Sequence, residues 1–240
     1  MNIEVNDLSI SFAGQYALQS FSIRISSEKT TVVLGSSGSG KSTFVKALLG
    51  LYPRSSGQIT IDGRILEGNS LPKFRESCGY LTQKGGLFPH ITLRDNICLQ
   101  AQNQGISEKK IVARLKELAD LTNLASEILD RYPGEVSGGQ LQRAALMRAL
   151  FIQPRLLILD EPLSALDPII RYELREQLRK IFKQLKLTVI VITHDLNIAK
   201  ALADQVVLLN RGRQIQIGSF EQLRNNPTSA FVERFFKAQQ

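Results

Sequence analysis

A stretch rich in glycine and serine occupies positions 35–42 and reads Gly-Ser-Ser-Gly-Ser-Gly-Lys-Ser. Its three glycines allow a tight turn whose backbone N–H groups converge on an anion, because no Cβ atom blocks the required dihedral angles or the close approach. The ammonium group of Lys41 can reach terminal phosphates, and the hydroxyl of Ser42 can ligate Mg²⁺. The stretch therefore predicts a binding site for the phosphates of a nucleotide, which we call the phosphate cradle.

The residues on either side of the cradle predict a strand before it and a helix after it. An apolar run covers positions 32–34, and Phe44, Val45, Leu48 and Leu49 recur at helical spacing. A helix that starts here directs the positive end of its dipole at the phosphates. The alternative is a flexible Gly/Ser linker, but such linkers rarely lie between a strand and a helix.

Two adjacent carboxylates, Asp160 and Glu161, follow a continuous apolar run at 156–159. Such a run is typical of a central parallel strand that is buried on both faces. Because ligands gather at the carboxyl ends of these strands, we expect Asp160 near Mg²⁺ and Glu161 beside the attacking water. His194 ends the next predicted strand, 187–193, at the same edge and could contact a γ-phosphate. The alternatives are a solvated acidic turn and a structural histidine.

A second candidate anion site, Ser137-Gly138-Gly139-Gln140, opens a predicted helix. Ser137 offers a hydroxyl group and Gly139 an unshielded backbone N–H. The alternative is an ordinary helix N-cap, which needs only the serine. Because each glycine destabilises a helix by up to ~1 kcal/mol, the pair favours a ligand.

The composition is that of a folded chain with an excess of positive charge. Of the 240 residues, 43% are hydrophobic and 22% charged, and the formal net charge is +8. No apolar run approaches the roughly 18 residues of a membrane-spanning helix, and the N-terminal residues lack the pattern of a secretory signal, so we expect a cytosolic address. The charge predicts attraction to nucleic acid or to an anionic membrane leaflet, or it reflects a generally basic solvated surface. The two cysteines, Cys78 and Cys98, form no Cys-x-x-Cys motif, which argues against a disulfide framework or a zinc site.

The remaining pattern predicts an α/β chain with a helical middle. Alternation over residues 1–34 predicts antiparallel strands that lead into the nucleotide strand, and Phe12 there could stack on a base or belong to the core. Strand signals disappear over 107–150, and Asp167-Pro168 predicts the start of a helix. The other predicted elements are a strand and turn at 57–63, a strand at 78–82, a helix to about 186, a hairpin at 206–209 and 214–217, and an amphipathic tail with aromatic residues.

Taken together, six features resemble, in order and spacing, the ATPase subunit of ATP-binding-cassette (ABC) transporters over nearly the whole chain. These features are the cradle, Gln83, the segment 137–140, the strand and acids at 156–161, Ser164-Ala-Leu-Asp167, and His194. The resemblance implies an α/β fold: a P-loop NTPase core with a mixed sheet, an N-terminal antiparallel β-subdomain and an inserted helical subdomain. One ABC domain would span 1–240, with 1–83 and 151–240 as the nucleotide-binding core and 84–150 as the helical signature subdomain.

The resemblance also implies a role for each residue of the site, with ATP and Mg²⁺ as the bound groups. Glu161 would be the general base, and His194, Lys41 and Gln83 would assist catalysis. Mg²⁺ would be held by Ser42 and Gln83 and, through water, by Asp160. The residues implied to contact ATP are Phe12 (on adenine), Gly35, Ser36, Ser37, Gly38, Ser39, Gly40, Lys41, Ser42, Thr43, Ser137, Gly138, Gly139, Gln140 and Asp167.

The partners implied by the resemblance begin with a second copy of the chain. In a head-to-tail dimer, two ATP molecules would lie between the cradle of one protomer and the 137–140 turn of the other, and Asp167 would link the two sites. Val136 departs from the family, which usually has leucine there. Transmembrane permease subunits and an extracytoplasmic solute-binding protein would complete an importer, with this chain on the cytoplasmic face of the membrane.

Two segments point to the type of transporter. The stretch 86–97 resembles that of bacterial importers, and the ending 226–236 is similar to importers of osmoprotectant quaternary amines, with polar amino acids as the other solute class. A GTPase is disfavoured because no Asn/Thr-Lys-x-Asp motif is present. The alternative class is a soluble ABC-type ATPase that acts on nucleic acid or ribosomes, for which the net charge is the only support. Such proteins usually carry two cassettes or a coiled-coil insertion, so no nucleic-acid partner is expected.

Overall fold

Residues 1–83, 85–164 and 166–238 are described by a computed structural model, and within them ten strands form two sheets with nine α-helices around them. The strands are β1 (Ile3–Phe12), β2 (Gln15–Ile25), β3 (Thr30–Leu34), β4 (Ser56–Ile61), β5 (Arg64–Ile65), β6 (Cys78–Leu81), β7 (Leu156–Asp160), β8 (Thr188–Thr193), β9 (Gln205–Asn210) and β10 (Arg213–Gly218). The helices are α1 (Lys41–Leu48), α2 (Ser70–Glu76), α3 (Leu93–Asn103), α4 (Glu108–Thr122), α5 (Gly138–Leu150), α6 (Pro168–Gln184), α7 (Leu196–Leu202), α8 (Phe220–Asn225) and α9 (Ala230–Lys237). None of these helices is long and apolar enough to cross a lipid bilayer.

The larger sheet has the strand order β10-β9-β3-β8-β7-β6, with parallel pairs throughout except at β9 and β10. Every residue of β3, β7 and β8 is buried, as expected for apolar strands covered on both faces. One face packs with α1 in a core that includes Val33, Ile158 and Phe44, and the other packs in a core that includes Leu157 and Leu159. The carboxyl ends of the three central strands therefore meet at one edge.

The smaller sheet is antiparallel, with the order β2-β1-β4-β5. The mixed sheet and this antiparallel sheet confirm the predicted fold class. The predicted strand and turn at 57–63 are confirmed: β4 ends at Ile61, and Asp62 and Gly63, with positive φ angles of 48° and 79°, turn the chain into β5. The predicted helix from Asp167-Pro168 ends at Gln184, two residues early.

The chain between β6 and β7 holds helices α3, α4 and α5 in its described part. Buried side chains of α4, including Ile111, Leu115 and Leu118, pack into the same core as Leu157 and Leu159 of the larger sheet. Buried Ala144 and Met147 of α5 belong to the same core, so α5 is also held against the sheet. Both cysteines, Cys78 and Cys98, are buried, and their thiols are free.

Candidate active site

A cavity of about 760 Å³ lies at the edge of the larger sheet where β3, β7 and β8 end. Most of the residues that the sequence predicts for the site line this cavity, together with four residues that were not predicted for it. The lining residues are Ser36, Ser37, Gly38, Ser39, Gly40, Lys41, Ser42, Thr43, Gln83, Asp160, Glu161 and His194, with Ala17, Ile192, Phe235 and Ala238 in addition.

The backbone of the cradle depends on glycine at two close approaches. A Cβ atom on Gly35 would lie 2.4 Å from Ser39 Oγ and 2.5 Å from the carbonyl oxygen of Leu209. A Cβ atom on Gly40, whose φ is 101°, would lie 2.7 Å from the carbonyl oxygen of Ala17. Helix α1 begins immediately after Gly40, so its unpaired N–H groups and positive dipole end face the cavity.

Two polar groups of the cradle fit an anion. Lys41 Nζ donates to the carbonyl oxygens of Gly35 at 2.7 Å and Ser36 at 2.8 Å, and these are main-chain acceptors that a phosphate could replace. Burial lowers the pKa of Lys41, while the charges of Glu161 and Asp160 oppose that change. The hydroxyl of Ser39 is buried and has no hydrogen-bond partner within the described residues. A bound phosphate would give Ser39 a partner and would replace the two carbonyl acceptors of Lys41.

The carboxylate of Asp160 is buried between β6 and α1. The pKa of Asp160 is raised, chiefly by burial and also by the charge of nearby Glu161. The hydrogen bond from Tyr80, the Ser42 hydroxyl and the charge of Lys41 partly oppose this change. Tyr80 Oη donates to Asp160 Oδ2 at 3.3 Å. Burial, and then the charge of Asp160, raises the pKa of Tyr80, so its hydroxyl stays protonated and acts as the donor.

The donors present fit the Mg²⁺ that the family resemblance implies. Ser42 lies within hydrogen-bonding reach of Asp160, and both line the cavity with the exposed Gln83. Hydroxyl, carboxylate and amide oxygens suit this hard cation. The described part of the chain holds no group of three or more His, Cys, Asp or Glu side chains that could bind a metal. That donor set agrees with Mg²⁺, which usually takes only one or two carboxylates and completes its shell with water and phosphate oxygens.

Glu161 and His194 form a pair at the cavity wall. His194 Nδ1 lies 2.8 Å from Glu161 Oε1, and Thr193 Oγ1 donates to Glu161 Oε2 at 3.4 Å. The glutamate side chain is only 12% exposed, whereas that of His194 is 59% exposed. Glu161 also has a positive φ of 49°, an uncommon conformation for a residue with a Cβ atom, and it directs the side chain out of the strand end. A nearly buried carboxylate held in this way can accept a proton from water.

The 137–140 turn does not line this cavity. Ser137 is the N-cap of α5: its Oγ accepts from Gln140 N at 3.3 Å, and Gln140 Oε1 accepts from Ser137 N at 2.9 Å. A Cβ atom on Gly139 would lie 2.9 Å from Ile170 Cγ2, so packing against α6 accounts for that glycine. Ser137 and Gly138 are both exposed. The turn therefore caps α5 and also leaves Ser137 and Gly138 exposed at the surface.

Three further predicted residues do not line the cavity, and one of them is Gly35, which is buried at the start of the cradle. Asp167 is exposed and caps α6, where its Oδ1 accepts from the backbone N–H groups of Ile169 and Ile170, each at 3.1 Å. The ring of Phe12 is 44% exposed and packs edge-on against Tyr52, with 5.0 Å between ring centroids. The structure thus does not bring Phe12 into contact with the cavity.

Sequence reasoning missed two aromatic residues at the site. Tyr80 reaches Asp160 only because β6 lies beside β7, and no pattern in the sequence gives that strand order. Phe235 reaches the cavity from α9, which is anchored by buried Val232 and Phe236. The amphipathic pattern of the tail predicted burial but not the surface against which it would pack.

Comparisons with known proteins identify the family. A family model described as ABC transporter matches residues 18–164. The chain is 40% identical over 222 residues to the glycine betaine/carnitine/choline transport ATP-binding protein OpuCA of Bacillus subtilis, covering 92% of this chain and 58% of that protein. It is 38% identical over 235 residues to the sulfate/thiosulfate import ATP-binding protein CysA of Synechococcus elongatus, covering 98% of this chain and 67% of that protein.

Solved structures give the same result for the fold. The dimeric structure of a bacterial ABC transporter cassette matches with a TM-score of 0.82 at 27% identity, covering 91% of this chain and 98% of the other. The cbiO1 protein of Clostridium perfringens, part of the ABC transporter complex cbiONQ, matches with a TM-score of 0.85 at 28% identity, covering 99% and 93%.

Proposed function

The chain belongs to the ABC transporter family, and on that premise we propose that it is the ATP-hydrolysing subunit of a membrane importer. The observation that carries the proposal is the shared cavity: the phosphate cradle, a buried aspartate, and a glutamate paired with a histidine meet at one sheet edge. Because the chain spans 58% of the length of its OpuCA relative, activity, solute and partners are proposals for this chain.

Each group in the cavity has a part in hydrolysis. The backbone N–H groups of the cradle and the N-terminus of α1 bind the phosphates, and Lys41 exchanges its two carbonyl acceptors for phosphate oxygens. Ser42, Gln83 and Asp160 would hold Mg²⁺, which when bound supplies positive charge to the terminal phosphates. Glu161 Oε takes a proton from the attacking water, and His194 orients that carboxylate and contacts the γ-phosphate.

The second half of each site comes from another copy of the chain. Ser137 and Gly138 are exposed and lie away from their own cavity, where they can face the cradle of a partner. One similar solved structure is a dimeric cassette, which supports this arrangement. Phe12 stacks on adenine in this proposal, and Asp167 links the two sites across the interface.

Replacing Ser137 with arginine tests the dimer. Arginine would fill the space that the γ-phosphate needs, so ATP-dependent dimerisation, measured by light scattering, and phosphate release should both be lost. Binding of a fluorescent ATP analogue to the isolated monomer should remain. Normal turnover in this variant would refute the head-to-tail dimer.

The chain offers a matched control at Ser219. This residue caps α8 with the same reciprocal pair, since its Oγ accepts from Gln222 N at 3.2 Å and Gln222 Oε1 accepts from Ser219 N at 2.8 Å. Ser219→Arg therefore removes an equivalent cap, which is typically worth about 1 kcal/mol, without touching the site. Dimerisation and turnover should survive this change.

The partners of the dimer in this proposal are transmembrane permease subunits at the cytoplasmic face of a membrane, with an extracytoplasmic solute-binding protein. The names of the betaine, carnitine and choline relatives favour a quaternary amine over a polar amino acid as the solute. Affinity purification of the tagged chain from detergent-solubilised membranes should recover a multi-span membrane protein. Recovery of nucleic acid or ribosomes alone would instead support a soluble ATPase.

A further inference from the structure

The hydroxyl of Tyr80 makes a hydrogen bond at the rear of the proposed metal site. Tyr80 Oη donates to Asp160 Oδ2 at 3.3 Å, and the Ser42 hydroxyl lies near the same carboxylate and lowers its pKa. Asp160 itself is 8% exposed, so little water reaches it to take the place of either donor. The plane of the carboxylate is therefore set by protein groups.

The sheet explains why Tyr80 can reach this carboxylate. In the parallel pair of β6 and β7, Tyr80 lies beside Ile158, two residues before Asp160. Side chains two apart on a strand share a face, so Tyr80, Ile158 and Asp160 all point toward α1. The two-residue step is about 6.6 Å, a length that a tyrosine side chain can span and a shorter one cannot. The ring packs against the core that contains Ile158 and Phe44, which holds the hydroxyl in place.

We propose that Tyr80 is a positioning residue that orients Asp160 for Mg²⁺ and thereby strengthens metal-dependent nucleotide binding. This inference rests on the proposed function, because it assumes that Ser42 and Asp160 hold the metal. Groups that hydrogen-bond a metal-ligating carboxylate fix its orientation and raise metal affinity. Tyr80 does not line the cavity, so it acts through Asp160 rather than on ATP itself.

Tyr80→Phe tests the proposal, because it removes one hydroxyl and leaves the ring packed. The probe is a fluorescent, non-hydrolysable ATP analogue, whose dissociation constant is measured in EDTA and again in saturating Mg²⁺. The gain in affinity from Mg²⁺ should fall about tenfold in the variant. The Mg²⁺ concentration at half-maximal binding should rise in parallel, while the affinity in EDTA stays within about twofold of the wild type, since no phosphate contact is lost.

The matched control is Tyr172→Phe, which removes a hydroxyl from a ring that is 60% exposed on α6. It should leave both affinities unchanged. An unaltered Mg²⁺ gain in Tyr80→Phe would overturn the proposal, and so would an equal loss in EDTA and Mg²⁺, which would mean that Tyr80 only shapes the cavity. If the wild type itself showed no gain from Mg²⁺, the proposed metal site would be wrong, and the role of Tyr80 would be refuted together with it.

Discussion

Replacing Glu161 with glutamine removes a proton acceptor and a negative charge but keeps the size of the side chain. The glutamate is 12% exposed and lies 2.8 Å from His194, in the position proposed for the general base. Loss of general-base catalysis slows a reaction by about 10² to 10⁴, which corresponds to an increase of about 3 to 5 kcal/mol in the activation free energy. Phosphate release by the variant should fall within that range.

Binding of ATP should be preserved or strengthened in the same variant. The negative charge of Glu161 faces the cavity that receives the phosphates, and it acts on Lys41 strongly enough to oppose the effect of burial on the pKa of that lysine. Neutralising it removes a repulsion between like charges. The folded state should change little, because the contact with a 59% exposed histidine contributes less than about 1 kcal/mol.

The assay combines steady-state phosphate release with binding of a fluorescent ATP analogue and light scattering. Slow hydrolysis should trap ATP, so the variant should accumulate as a dimer in the presence of MgATP. Glu4→Gln is the charge-matched control, since Glu4 forms a surface ion pair with Arg24 at 3.0 Å, away from the cavity. Loss of ATP binding in Glu161→Gln, or turnover like that of the wild type, would refute the role assigned to this carboxylate.

Two further substitutions test the walls of the cavity. Gly35→Ala places a Cβ atom 2.5 Å from the carbonyl oxygen of Leu209, and overpacking typically costs about 1 to 3 kcal/mol. The backbone of the cradle must shift to relieve this contact, so nucleotide affinity should fall by about fivefold to 150-fold. Gly134→Ala, where a Cβ atom meets nothing within 4 Å, should bind normally. The chain contains no tryptophan, so Phe235→Trp places a unique fluorophore in the cavity wall. The emission of this tryptophan should change when MgATP binds. The control is Tyr172→Trp on α6, whose emission should not change. An unresponsive signal from the Phe235→Trp variant would place α9 outside the nucleotide site.

The sequence was sufficient to predict the centre of the site because its residues follow apolar runs directly. The cradle follows β3, Asp160 ends β7 with Glu161 next to it, and His194 follows β8, all at the carboxyl ends of buried parallel strands. Burial on both faces gives such strands a continuous apolar signal, and parallel orientation puts their ends at one edge. Positions within one element and immediately after it could therefore be inferred from spacing alone.

The residues that were missed depend on which elements become neighbours. Tyr80 contacts Asp160 across a strand pair formed by segments 80 positions apart, and Phe235 reaches the cavity through the packing of α9. Neither relation has a local pattern, because it is set by strand order and by which surface is left for the tail to cover. Base stacking by Phe12 stays a prediction from its place before a turn, because in the single chain its ring packs on Tyr52 and does not line the cavity.

The two glycines of the 137–140 turn have different explanations: one is required by packing within the chain, and the other is not. Gly139 is needed because α6 approaches to 2.9 Å of where its Cβ atom would be. At Gly138 a Cβ atom would make only an ordinary contact, 3.6 Å from Leu166, and φ there is not positive. Alanine would stabilise the first turn of α5 by up to about 1 kcal/mol at that position, so the fold of one chain gives no reason for glycine. The exposed backbone of Gly138 is what a phosphate held by another protomer would need, which supports the proposed dimer as the unit that completes the site.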